Sequence, residues 1–233
     1  MNLEQLAVTS RSKGVRDERN GHVSSAAAIG MAVDAQDLAI RALDLALVVC
    51  GLIVLLPVFL AIAMAIKLDS PGPVLFVQKR VGRDGRIFNC FKFRSMRTDA
   101  EALRKRLEQQ NERSGPVFKM RNDPRVTGVG RFLRRSSLDE LPQLLNVLFG
   151  DMSLVGPRPA IPSEVAQYTD HQVGRLAVVP GLTGLWQVSG RASLSFESMI
   201  ELDLLYVQQR CLWTNIRILA LTIPAVVSGR GAY

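Results

Sequence analysis

Arg134-Arg135-Ser136-Ser137-Leu138-Asp139-Glu140-Leu141-Pro142-Gln143-Leu144-Leu145-Asn146-Val147-Leu148 is the stretch on which the reading of this chain turns. Two arginines run into two serines, then two adjacent carboxylates, then an apolar helical run. Ser137 and Glu140 stand at capping-box spacing, which predicts Asp139 and Glu140 in the first turn of a helix. Pro142 argues for a start nearer Leu138, because proline is tolerated where an amide has no intrahelical partner. The pattern leaves that one-residue difference open. The helix macrodipole favours acids at this end whether or not they do chemistry, so the pair by itself decides nothing. Its surroundings add to it. A first-turn carboxylate kept ionised beside Arg134 and Arg135 suits metal binding or attack on an electrophile. Downstream, Gly150-Asp151-Met152-Ser153-Leu154-Val155-Gly156-Pro157-Arg158-Pro159 holds a third arginine rigid between two prolines. Acids together with fixed arginines point to phosphate chemistry with a divalent ion.

The chain of 233 residues suits one catalytic domain plus an anchor or tail. Apolar residues make up 48%, enough for a sizeable core, and the formal charge of +8 predicts anionic partners. Aromatics at 6% weaken a base-stacking nucleic-acid reading. Cys50, Cys90 and Cys211 are far apart, and with only His22 and His171 they form no zinc pattern. They read as reduced, buried thiols of a cytosol-facing protein.

Residues 1–36 are polar and carry basic clusters, the composition of a disordered N-terminal tail. No charge then interrupts Leu45 to Ile66, a run long enough to cross about 30 Å of hydrocarbon as one helix. Two features resist a simple crossing. Pro57 lies mid-run, where it kinks or breaks a helix. Basic residues also flank both ends, Arg41 and its predecessors before and Lys67, Lys79 and Arg80 after, so the positive-inside rule favours neither end outside. These residues leave a straight span and a hairpin open. Val74–Gln78 and Ile87–Phe93 read as a β-hairpin about Gly82-Arg83-Asp84-Gly85, with Lys79, Arg80, Lys92 and Arg94 forming a basic face. Residues 99–111 read as a charged helix, 161–178 as helical, and 182–191 as a polar, turn-rich loop containing Trp186. Phe196–Gln209 has the apolar stripe of an amphipathic helix, and 211–227 suits a segment lying in the membrane interface.

With these blocks in view, the chain from about Arg41 onward resembles the bacterial sugar transferase family, monotopic phosphoglycosyl transferases that load a sugar phosphate onto polyprenyl phosphate. The resemblance rests on ordered motifs: Arg41-Ala42-Leu43-Asp44 before the apolar run, Lys92-Phe93-Arg94-Ser95-Met96, Arg134 to Glu140, Gly150 to Pro159, Pro180-Gly181-Leu182-Thr183-Gly184, Gln187-Val188-Ser189-Gly190-Arg191 and Glu201-Leu202-Asp203. It implies that Asp139 is a nucleophile attacking the β-phosphate of a UDP-hexose, with UMP leaving, and that Glu140 completes an Asp-Glu dyad. It implies Mg²⁺ bridging Asp139 and diphosphate oxygens. Arg134 and the Pro157-Arg158-Pro159 block match phosphate-binding positions, and Lys92, Arg94 and Arg191 join the candidate substrate-binding set. The acceptor implied is undecaprenyl phosphate, and the pathway exopolysaccharide or capsule synthesis.

The implied fold is α+β and mostly helical: a re-entrant membrane helix-break-helix at Pro57, a small β-hairpin, and interfacial amphipathic helices around a cytosol-facing catalytic domain. The division is a tail over 1–36, a re-entrant anchor over 37–68 and the catalytic domain over 69–233, monotopic in the bacterial inner membrane. Many members carry Ser-Pro at the break, whereas Leu56 precedes Pro57 here, so no serine hydroxyl can satisfy a freed carbonyl. Membrane lipid is an expected partner, nucleic acid is not, and homo-oligomerisation stays open. The competing reading is a membrane-anchored, non-catalytic interaction protein with a basic cytosolic face, in which Asp139→Asn is silent.

Overall fold

The computed structural model describes residues 22–100, 102–103, 120, 123–190 and 194–227, with side chains from residue 35 onward. Two compact units divide the chain, Met1–Leu38 and Ala39–Tyr233. The described backbone of the first is helical from His22, so residues 22–36 of the expected tail are helix and residues 1–21 lie outside the described part. The charged helix expected over 99–111 also falls mostly outside it.

Helix α1 runs His22–Asp69 with Pro57 inside it, and the helical assignment is unbroken there. One side carries Ile40, Asp44, Val48, Leu52, Leu55, Phe59, Ile62 and Ile66 at spacings of three and four, the single stripe a helix turns toward a neighbour. The other sides expose Leu47, Ile53, Val54, Leu56, Leu60 and Met64. This is a helix long and apolar enough to serve as a membrane anchor. Cys50 is exposed on it and only Cys90 is buried, which corrects the reading of three buried thiols; none is disulfide-bonded.

Strands β1 (Leu75–Val81) and β2 (Ile87–Phe93) pair antiparallel, Leu75 against Phe93; the hairpin is as expected, with β1 running three residues beyond the expected Val74–Gln78. Helix α2 (Gly128–Arg135) is capped by Thr127, whose hydroxyl accepts from Gly130 N. A 3₁₀ turn over Leu138–Glu140 leads to α3 (Gln143–Phe149), which ends on Gly150 at φ 89, a left-handed cap that suits glycine. Strand β3 (Ser153–Val155) lies parallel to β4 (Gly181–Thr183). A Cβ on Gly181 would fall 2.0 Å from Gly156 N, so the Pro180-Gly181 step must be bare for these backbones to approach. Between the strands, 161–178 forms short pieces rather than one helix: α4 (Pro162–Val165), α5 (Asp170–Val173) and a 3₁₀ turn. Of the polar loop expected over 182–191, the first residues belong to β4 and Leu185–Ser189 form α6, with Trp186 buried. Helices α7 (Phe196–Gln209) and α8 (Leu212–Val227) follow, with Pro224 inside α8.

The main core gathers Val48, Phe88, Cys90, Leu144, Val147, Leu154, Tyr206 and Ile218, contributed by α1, β2, α3, β3, α7 and α8. A second cluster joins Ile62 and Ile66 to Phe93 and Leu133. Polar clamps fasten α1 to both. Arg41 donates to Val147 O (2.6 Å) and Leu148 O (2.9 Å), carbonyls in the last turn of α3. Asp44 accepts from Ser153 Oγ (2.7 Å) and Leu154 N (3.1 Å) on β3. At the far end, Asp69 accepts from Val129 N (3.2 Å). The expected result of Asp44→Ala is a loss of about 1–3 kcal/mol, because buried donors on Ser153 and Leu154 lose their acceptor. Denaturant midpoints of the purified chain in detergent measure it, and Asp44→Asn should recover part of the loss.

Candidate active site

The dyad is held by local backbone geometry. Ser137, two residues past the end of α2, lies in the left-handed region (φ 58, ψ 15), uncommon for a residue with a side chain. The chain then coils through the 3₁₀ turn, and Pro142 opens α3. Ser137 makes no side-chain cap, so the expected capping box is absent; the α-helix starts three residues after Glu140, and Glu140 is free to turn elsewhere. It turns to β2. Lys92 Nζ donates to Glu140 Oε1 at 2.5 Å. Asn146, fully buried on α3, sets that register: its Oδ1 accepts from Phe91 N (2.9 Å) and its Nδ2 donates to Asn89 O (2.7 Å).

The two carboxylates therefore have different surroundings. Asp139 lines a cavity of about 420 Å³ whose walls also carry Lys92, Arg134 and Arg158, a size that suits a small-molecule ligand. Glu140 lies on a smaller adjoining hollow of about 50 Å³, shared with Lys92, Arg158 and Gln187. Burial is the largest influence on both groups. At Asp139 it prevails over Lys92, and with Glu140 adding to it the carboxyl is raised to about 6. At Glu140 the charges of Lys92, Arg158 and Arg80 together outweigh burial and hold the group well below the usual carboxylate range. One carboxylate is thus paired with a lysine and the other borders the cavity.

Arg134 donates through Nε to Ser95 Oγ (3.0 Å), which joins the end of α2 to the segment that follows β2. Arg158 is exposed while Pro157 and Pro159 beside it are buried. Its guanidinium has no hydrogen-bond or ion-pair partner among the described residues. A group of unpaired or singly held guanidiniums around one carboxylate is an arrangement for a polyanionic ligand. Among the described residues, no three His, Cys, Asp or Glu side chains gather as a metal cage. The donor set suits an ion that keeps most of its ligands from water and substrate phosphate, as Mg²⁺ does.

A family profile described as bacterial sugar transferase matches residues 35–229. The chain belongs to the bacterial sugar transferase family. Galactosyl transferase CpsE of Streptococcus agalactiae serotype III is 46% identical over 193 residues, covering 82% of this chain and 43% of that protein. Exopolysaccharide production protein ExoY of Rhizobium meliloti is 41% identical over 197 residues, 83% of this chain and 87% of that protein. Undecaprenyl-phosphate glucose phosphotransferase of Komagataeibacter xylinus is 44% identical over 204 residues, 83% of this chain and 36% of that protein. The chain spans about two-fifths of the length of most of these relatives, and nearly all of the short one.

In this bacterial sugar transferase the structure brings together Asp139, Glu140, Lys92, Arg134 and Arg158 from separate blocks of sequence. Arg94 has a different place. It borders the cavity, but its Nη1 donates to Pro71 O (2.6 Å) and its Nη2 to Ser70 O (2.7 Å), closing the C-terminal end of α1. Pro157 and Pro159 shape the loop. Arg191 lies outside the described residues. Glu201 pairs with His171 at 2.9 Å on an exposed helix face.

Two arginines that support the site carry no local signal of that role. Arg80, expected on the basic face of the hairpin, is instead buried and donates to Pro159 O (2.9 Å). Arg175 is buried against Asp203 and reaches Arg158 O (3.1 Å). Nothing in the neighbouring residues separates a buried arginine from a surface one; only the Glu201-Leu202-Asp203 block hints at the acid.

Proposed function

We propose that this chain transfers hexose-1-phosphate from a UDP-hexose to undecaprenyl phosphate, the initiating step of an exopolysaccharide or capsule. The observation that carries the reading is the divided dyad: Glu140 tied to Lys92, and Asp139 facing a cavity walled by Arg134 and Arg158. An Asp139 oxygen attacks the β-phosphorus of the donor. The bond from that phosphorus to the bridging oxygen breaks, UMP leaves with the oxygen, and the hexose phosphate stays on Asp139 as an acyl phosphate. A phosphate oxygen of the acceptor then attacks the same phosphorus and displaces Asp139, giving a lipid diphosphate hexose. Two easier displacements replace one. Arg134 and Arg158 hold the charge that gathers on the diphosphate. Mg²⁺ would be held by Asp139 with the donor's phosphate oxygens and would supply further charge neutralisation. The names of the relatives, which include galactose and glucose phosphotransferases to undecaprenyl phosphate, support this reaction class.

The anchor fits such an acceptor. Arg41 and Asp44 at one end of the apolar run and Asp69 at the other are bonded to the same body. The roughly 25 residues between Asp44 and Asp69 reach about 38 Å as a straight helix, more than the hydrocarbon thickness of about 30 Å. A crossing would put those ends in opposite aqueous phases, where one body cannot hold both. In our reading α1 enters and leaves by the cytoplasmic face of the inner membrane, bending at Pro57, with α8 in the interface. Ala42→Cys and Leu68→Cys should then both react with an impermeant maleimide in inverted vesicles and neither in intact spheroplasts. Labelling from opposite sides would refute the hairpin.

The reaction is tested with the detergent-solubilised chain, Mg²⁺, undecaprenyl phosphate and a panel of UDP-sugars, following UMP. Release of UMP with one donor, abolished by EDTA, is expected. Release of UDP would make the protein an ordinary glycosyltransferase. Silence with every donor from a folded sample would favour the anchored interaction protein.

A further inference from the structure

Four consecutive carbonyls around Arg158 are each taken by a donor from one of two distant stretches, Arg80-Val81 on β1 and residues 175–181. Gly181 N donates to Pro157 O (2.9 Å) and Val81 N to Ala160 O (2.9 Å), both ordinary backbone contacts. The two between are held by guanidiniums: Arg175 Nη2 donates to Arg158 O (3.1 Å), and Arg80 Nη1 to Pro159 O (2.9 Å). Arg175 is 5% exposed and Asp203, with which it pairs, is 1% exposed. Arg175 Nη1 donates in addition to Tyr168 Oη at 2.7 Å.

Burying a charge pair is seldom a route to stability, since apolar side chains of similar volume do as well or better. What a guanidinium does that an apolar side chain cannot is donate in several fixed directions at once. Here those directions are the Asp203 carboxylate, the Tyr168 hydroxyl and the carbonyl of the residue whose side chain faces the cavity. From this geometry we infer that Asp203 and Arg175 are positioning residues for Arg158: Asp203 holds the Arg175 guanidinium oriented inside the core, and Arg175 fixes the backbone from which Arg158 reaches the donor diphosphate. The inference rests on the proposed reaction, in which Arg158 bears on the diphosphate.

Two variants separate positioning from mere support. Arg175→Lys keeps the buried charge pair but has a point charge in place of the fork. The double variant Arg175→Met with Asp203→Leu removes both charges together, which spares the fold an unpaired one. Both are expected to melt within about 4 °C of the native chain and to release UMP about 10- to 100-fold more slowly, the loss that a displaced contact brings. The loss should divide between kcat and KM as it does in Arg158→Ala. In the Arg158→Ala background, Arg175→Lys should add nothing, because the group it positions is gone.

Native activity in either folded variant overturns the inference. So does a loss that multiplies with that of Arg158→Ala, and so does failure of both variants to fold, which a structural role alone accounts for. If the native chain releases no UMP from any donor, it is the proposed reaction that falls. UDP affinity then decides the inference: it stands if Arg158→Ala and Arg175→Lys weaken UDP binding alike and non-additively, and falls otherwise.

Discussion

Asp139→Asn is expected to lower UMP release by about 10⁴-fold or more, as loss of a covalent nucleophile does, while leaving the protein folded and in the membrane. An amide of the same shape fills the same wall of the cavity, but it cannot form the proposed acyl phosphate. The stability expectation follows from the sign of the Asp139 shift. Burial raises its carboxyl to about 6, above the ordinary 3.8, so the folded state prefers the protonated form. The favourable contribution of that preference is present below pH 3.8 and is lost as the pH rises through about 6. At neutral pH the charged side chain therefore burdens the fold, and Asp139→Asn should melt at the same temperature as the native chain or above it. Mass spectrometry with donor alone gives the second measurement. The native chain should gain the mass of one hexose phosphate and the variant none. A variant that still releases UMP at the native rate would remove Asp139 from the mechanism.

Arg158→Ala is expected to reduce kcat by about 10²–10³-fold, the usual effect of removing one preorganised group that stabilises transition-state charge. Its side chain is exposed and has no partner among the described residues, so a change in melting temperature of no more than a few degrees should accompany the loss. Arg158→Lys should recover little, because an ammonium cannot reproduce the two-pronged contact with phosphate oxygens. Full recovery by lysine would mean that only the charge matters, and that the rigid Pro157-Arg158-Pro159 frame has no part in the rate.

Much of the site is legible in the residues themselves. Asp139, Glu140, Arg134 and Arg158 announce themselves because each sits in a short block whose neighbours constrain it: arginines before the acids, prolines around the arginine. The β-hairpin and helix α7 are equally plain, since apolar runs flank the Gly82–Gly85 turn and the 3.6 period of α7 is written in consecutive residues. Other expectations fail where a distant partner overrules a local signal. Ser137 and Glu140 have capping-box spacing, yet Glu140 bonds to Lys92, 48 positions away, and Ser137 takes a left-handed conformation instead. Residues 161–178 have the composition of one helix and form short pieces. Trp186 belongs by its neighbours to a polar loop, but it packs inside a short helix next to β4.

By itself the sequence determined the family, a long apolar run with a proline in it, and the acids and arginines of the candidate site. Those properties belong to residues in order along the chain. Tertiary structure alone decided which of two adjacent carboxylates is paired with a lysine and which borders the cavity, that Arg94 is tied to carbonyls after α1 while the Arg158 side chain stays unpaired among the described residues, and that Arg80 and Arg175 grip the loop between them. The reason is that a charge's behaviour depends on its burial and on what lies within a few ångströms, and here those neighbours come from positions tens of residues apart.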